Sequence, residues 1–246
     1  MKKIFAANWK LNKSPLEAKK FIQDFLDLAA QTAFFYKDKE VLIFPSAFCL
    51  DAVAHVAADT HIEFGPQNIY SERSGAFTGE NSGEVAKQMG AKFVLIGHSE
   101  RRQLFHEVDP GLNAKVKLAQ GLQLTPVFCI GETLQQREDG QTESVCFSQL
   151  ELGLKDVEKT TKLIVAYEPV WAIGTGKVAT SQQVTDIHHK LHEKLNYMGY
   201  KNVSLLYGGS VKPENATELL KIPHVDGFLV GGAALDPVSF HKICQG

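Results

Sequence analysis

The chain has 246 residues, 44% of them hydrophobic and 22% charged, and carries a formal net charge of −2. That content lies in the globular range, and a chain of this length buries a large core without staples; with no long basic block, it offers no footprint for nucleic acid or an anionic membrane. Cys49, Cys129, Cys146 and Cys244 form no C-x-x-C pair and read as small apolar residues of a reducing compartment.

The opening MKKIFAANWK has an apolar stretch of only four residues, 4–7, before Asn8 and Lys10. That is too short for a signal peptide, and no later run approaches the length of a membrane span, so the chain reads as cytoplasmic. Short apolar runs follow at 41–44, 62–64, 93–96, 127–130, 163–167, 203–206 and 228–230. Their spacing of about 32 residues suits a repeated βαβ unit. Continuous rather than alternating apolar character fits parallel strands covered on both faces.

After the first strand, Ser14-Pro15 with Glu17 predicts a capped helix whose stripe is Phe21, Ile22, Phe25, Leu28 and Ala29. Residues 30–39 read as an irregular surface excursion, and Gly65-Pro66 closes the third strand at once. Asp109-Pro110 and Asp236-Pro237 predict two further capped helix starts, and Thr180 with Gln183 another capping box. Val184, Ile187, Leu191 and Leu195 make a second apolar stripe. Gly90, Gly121 and Gly199 stand where helices should stop. No linker or composition shift divides residues 1–246. The economical reading is one α/β domain, a (β/α)8 barrel; an open doubly wound sheet is the runner-up, because pattern does not show closure.

The chemistry-bearing residues follow strand ends: Asn8 and Lys10 the first, His98 the fourth, Glu168 the sixth, Gly208-Gly209-Ser210 the seventh and Gly231-Gly232 the eighth. In a closed barrel these positions converge on one face, where barrel enzymes build their sites, and the last two loops commonly cradle phosphate. His188 and His192 lie four apart, as metal ligands can, but Lys190, Glu193 and Lys194 around them read as a solvated face.

The run AYEPVWAIGTGK at 166–177 resembles the lid signature of the triosephosphate isomerase family. NWKLN at 8–12, QN at 67–68, GAFTGE at 75–80, IGHSERR at 96–102, CIGE at 129–132, YGGSV at 207–211 and DGFLVGG at 226–232 are similar to that family in the same order. The resemblance implies isomerisation of a three-carbon sugar phosphate in glycolysis and gluconeogenesis, through an enediolate, with no metal or cofactor. It implies that Glu168 is the base and His98 a neutral electrophile, while Lys10 supplies positive charge and Asn8 orients the substrate. Gly174, Ser210, Gly231 and Gly232 would donate backbone N–H groups to the phosphate. Glu100 would tune Lys10, or else pair with Arg101 or Arg102. A homodimer is implied too, with Phe77 and Thr78 of the 75–80 loop beside the neighbouring subunit's lysine. Two departures stand out: Ala234 replaces the usual serine, and Lys13 a frequent glycine, to which this reading gives no part in the chemistry. Fold alone leaves an aldolase-like or lyase-like barrel, or a non-catalytic one, as alternatives.

Overall fold

In the computed structural model, residues 2–173 and 178–246 are described. All eight apolar runs form strands: β1 Lys3–Asn8, β2 Lys39–Phe44, β3 Ile62–Phe64, β4 Phe93–Ile96, β5 Thr125–Ile130, β6 Leu163–Tyr167, β7 Val203–Tyr207 and β8 Gly227–Val230. They pair in the order β3-β2-β1-β8-β7-β6-β5-β4, every ladder parallel. β1 thus lies between β2 and β8. The remaining seam, β3 against β4, is drawn together by the Lys92 N–H on the Phe64 carbonyl at 3.1 Å and the Leu95 N–H on the Pro66 carbonyl at 3.0 Å. Gly65 permits that approach, since a Cβ there would sit 1.8 Å from the Phe93 carbonyl oxygen. The sheet therefore curls into a nearly closed barrel, which disposes of the open-sheet alternative.

Alternation along each strand makes two cores. Ile4, Ala6, Leu42, Phe44, Leu95 and Val127 fill the barrel, while Phe5, Val41, Ile43, Phe128 and Val165 face outward to the helices. Between strands run α1 Pro15–Ala30, α2 Leu50–Ala57, α3 Gly83–Gln88, α4 Ser99–Leu104, α5 Asp109–Gly121, α6 Leu134–Glu138, α7 Thr142–Gly153, α8 Ser181–Tyr197 and α9 Pro213–Leu220, and α10 Pro237–Gln245 follows β8. The capping boxes of Ser14 with Glu17 and of Thr180 with Gln183 are formed, and Asp236 caps α10.

Two expectations need correction. Asp109 is the first residue of α5 rather than its cap, because Arg102 Nη1 holds its carboxylate at 2.7 Å; Val108 occupies the cap position. Gly121 is the last residue of α5, as expected, though it does not itself take the left-handed conformation. The chain continues through Leu122, and Gln123, at φ 57°, makes the turn instead. His188 is not on a solvated face but fully buried, its ring edge-on to Tyr167 and tilted against Tyr207. The 30–39 excursion is irregular as expected, yet Phe35 anchors it by stacking on His241 at 4.9 Å. No helix among the described residues is long and apolar enough to cross a membrane.

Candidate active site

Asn8 ends β1 with its side chain buried, and its Oδ1 accepts the Lys10 N–H at 3.0 Å. Lys10 itself takes the left-handed conformation, φ 51°, which costs a non-glycine residue on the order of 1–2 kcal/mol. Gln67 holds it there, its Nε2 donating to the Lys10 carbonyl at 2.8 Å and to the Phe44 carbonyl at 2.9 Å. The turn aims the lysine ammonium across the barrel mouth to Glu100 Oε1, 2.6 Å away. Arg101 pairs with Glu107 and Arg102 with Asp109, so of Lys10, Arg101 and Arg102 it is Lys10 that Glu100 takes.

Glu168 follows β6 directly and is almost wholly buried. Its Oε2 accepts the Ser99 N–H at 2.9 Å, and its Oε1 lies 2.9 Å from His98 Nε2. His98 caps α4: its Nδ1 accepts the Glu100 N–H at 3.2 Å. An acceptor Nδ1 carries no proton, so the ring proton sits on Nε2 and is donated to Glu168. Burial disfavours charge on both groups. For Glu168 that cost is outweighed by the imidazole, the Ser99 N–H and Lys10, which hold its pKa below the ordinary carboxylate value. For His98 the carboxylate likewise outweighs burial and raises its pKa. That support depends on contact with Glu168; once the carboxylate turns to another partner, burial and the Glu100 N–H both favour a neutral ring.

These residues border a cleft of about 280 Å³, whose opposite wall is Gly208 to Lys212 and Gly231 to Ala233. Glycine is needed at 208, where a Cβ would come within 2.9 Å of Glu168 Cγ. Ser210 turns its hydroxyl away from the cleft to the Ala172 carbonyl at 2.7 Å, which ties the β7 loop to the start of the lid sequence. Asn8, Lys10, His98, Glu168, Ser210, Gly231 and Gly232 are thus brought together, while Gly174 lies outside the described residues. Phe77 and Thr78 stand apart on the loop after β3, where the Phe77 ring leans on Tyr70 at 4.3 Å.

Sequence reasoning gave no role to Glu132. Directly after β5, it is fully buried and accepts from Tyr167 Oη at 3.0 Å, Trp171 Nε1 at 3.0 Å and Arg137 Nη1 at 3.0 Å. The signal was available: an acid just past a strand end, as Glu168 is. Arg102, expected only as an alternative partner of Glu100, has a different part. Its guanidinium donates to the Gly97 carbonyl at 2.9 Å and the Cys129 carbonyl at 3.1 Å, bracing the β4 end that carries His98. Among the described residues no group of three or more His, Cys, Asp or Glu is placed to hold a metal.

Fold and cleft together define a β/α-barrel enzyme whose site opens at the C-terminal ends of the strands. The family model described as triosephosphate isomerase matches residues 3–246. A triosephosphate isomerase of Bdellovibrio bacteriovorus is 54% identical over the full length of both chains, and one of Trichodesmium erythraeum is 42% identical over 98% of each. The crystal structure of triosephosphate isomerase from Bartonella henselae superposes with a TM-score of 0.88 at 36% identity, covering all of this chain and 98% of that one. The chain belongs to the triosephosphate isomerase family, and its activity is the interconversion of dihydroxyacetone phosphate and glyceraldehyde 3-phosphate.

Proposed function

We propose that Glu168, His98, Lys10 and Asn8 carry this isomerisation, and that Gly174, Ser210, Gly231 and Gly232 bind the substrate phosphate through backbone N–H groups. The observation that supports the assignment best is the Glu168–His98 contact inside a cleft walled by glycines. A proton beside a carbonyl is too weakly acidic for a carboxylate unless the forming oxyanion is stabilised at once. Here the His98 Nε2–H and the Lys10 ammonium supply that stabilisation, with Asn8 fixing the turn from which Lys10 reaches the site. Glu168 leaves the Ser99 N–H, takes the proton from one carbon and returns it to its neighbour. His98 exchanges its Nε2 proton with the two oxygens in turn, so the enzyme ends as it began. Glu100 supports the lysine from the cleft rim. The chemistry is proton transfer alone and requires no metal or organic cofactor.

The test is Glu168→Gln, which keeps the volume and one of the two acceptor oxygens but cannot accept the proton. Turnover should fall by about 10²–10⁴-fold while inorganic phosphate still competes for the site. Retention of most of the activity would mean that another residue is the base.

We also infer a homodimer in a reducing, cytoplasmic compartment. Leu11 is 96% exposed, Phe48 93% and Phe77 38%, and they sit on the loops after β1, β2 and β3, neighbours around the barrel rim. A partner seated there would cover all three, with Thr78 approaching its Lys10. The four cysteines are buried free thiols, in keeping with a reducing environment.

A further inference from the structure

The geometry points to Lys13 as a positioning residue that sets the separation between the Lys10 loop and the turn at Gly231-Gly232. This rests on the reading that Gly231 and Gly232 receive the substrate phosphate. Lys13 is the third residue after Lys10 and, like it, lies in the left-handed region, φ 70°. Its Nζ donates to the Leu235 carbonyl at 2.8 Å, a link across 222 residues of sequence. Leu235 closes the single turn Gly232–Ala234, its N–H returning to the Gly232 carbonyl at 3.1 Å, and the Ala234 N–H returns to the Gly231 carbonyl at 2.8 Å. The lysine therefore grips the back of the turn whose front faces the cleft.

At the front the two loops meet only softly. Lys10 Cε lies 3.4 Å from where a Cβ on Gly231 would be, a packing contact with no hydrogen bond. A phosphate on the Gly231-Gly232 turn lies within reach of the Lys10 ammonium, which is 3.8 Å from where a Cβ on Gly231 would be, so the separation of the loops decides how well both grip it at once. The Lys13 side chain is itself held. Its ammonium lies over the rings of Phe21, at 4.7 Å, and Trp9, at 5.3 Å, and its own carbonyl accepts the Cys49 thiol at 3.1 Å. Glu17 and Asp236 are the nearby carboxylates that favour its charge, against a burial that lowers its pKa. Glycine, frequent here in the family, would suit the backbone angle equally well and would keep only the Cys49 link to the backbone carbonyl.

The test uses the full chain as wild type, Lys13→Met and Lys13→Arg. Methionine keeps the apolar stem over Trp9 and Phe21 while removing the donor and the charge. We expect Lys13→Met to raise KM and the dissociation constant of inorganic phosphate together, by about three- to tenfold, as expected for one charge-assisted hydrogen bond acting indirectly. The kcat should stay within about twofold, and Lys13→Arg should restore both constants. Phosphate binding is measured by titration calorimetry, independently of turnover. Weaker phosphate binding in Lys13→Met, in a protein whose wild type shows no isomerase turnover, would support the positioning role and refute the assigned reaction. If Lys13→Met lowers the melting temperature but leaves KM and phosphate affinity unchanged, the residue only stabilises and the proposal is overturned. Unchanged constants with unchanged stability, or a wild type that binds no phosphate, overturn it as well. Should Lys13→Met not fold, Lys13→Gly takes its place, since φ 70° accepts glycine without strain.

Discussion

At the scale of single residues, the site works through side chains and backbone groups far apart in sequence. The Ser99 N–H that holds Glu168 is 69 residues away from it, and Gln67 holds Lys10 from 57 residues away. The identities of Asn8, Lys10, His98 and Glu168 were legible because each follows a strand end. Their contacts were not, because closing the barrel, and no local pattern, brings them together. His188 shows the same limit from the opposite side: charged neighbours in sequence suggested solvent, but the helix turns it inward. Its Nδ1 bonds the His224 carbonyl at 3.0 Å, its Nε2 is buried without a partner, and burial lowers its pKa to about 4. The native state therefore binds fewer protons than the unfolded chain between that value and about 6.5, the ordinary histidine value. Stability contributed this way is complete above pH 6.5 and is lost as pH falls toward 4. His224 and His241, lowered chiefly by burial, act in the same direction. From pH 7.5 to pH 5, His188 alone should cost on the order of 2 kcal/mol in urea unfolding. His188→Gln should flatten that slope; an equally steep slope in the variant would assign the acid sensitivity elsewhere.

At the scale of elements, strand positions and most helix starts were legible because burial and capping are local. What escaped notice were contacts linking one βα loop to the next. The loop after β5 offers Glu132 to the β6 tyrosine and to the tryptophan of the short turn Val170–Ala172, whose first N–H also meets the Glu132 carbonyl at 3.1 Å. Arg137 of α6 lies over the Trp171 ring at 4.9 Å and supplies the countercharge that makes burying this acid tolerable. The segment leading into the lid sequence is thus fixed by its neighbour rather than by its own residues. Its far end is fixed by Ser210 on the Ala172 carbonyl, so the β5, β6 and β7 loops form one braced unit. Glu132→Gln keeps the shape but removes the charge that Arg137, Trp171 and Tyr167 share. It should lower stability by on the order of 2 kcal/mol in denaturant titration and reduce kcat more than phosphate affinity. Full stability with full turnover would show that these donors find other acceptors and that the acid does not organise the segment.

At the scale of the whole molecule, the barrel divides its rim between two tasks. The ends of β1 and β4 and the loops after β6, β7 and β8 line the cleft, while the loops after β1 to β3 carry apolar side chains that water solvates poorly. Lys10 belongs to both regions: its ammonium serves the cleft, while the adjacent Leu11 projects almost fully exposed. Covering Leu11, Phe48 and Phe77 in a second copy would restrain the Lys10 turn, whose left-handed strain Asn8 and Gln67 oppose from within the chain. Assembly and catalysis are then coupled through one loop. Sedimentation at micromolar concentration should give a single species of twice the chain mass. Phe77→Glu would bury an unpaired carboxylate in that contact, and Gly75, which lies under the ring, would no longer be covered. The variant should dissociate, with the dimer dissociation constant rising by about a hundredfold or more, and kcat should fall as the monomer fraction grows. Raising the protein concentration should then recover specific activity in step with dimer mass. Specific activity that stays constant while the mass halves would separate the two functions of the rim and leave the Lys10 turn competent by itself.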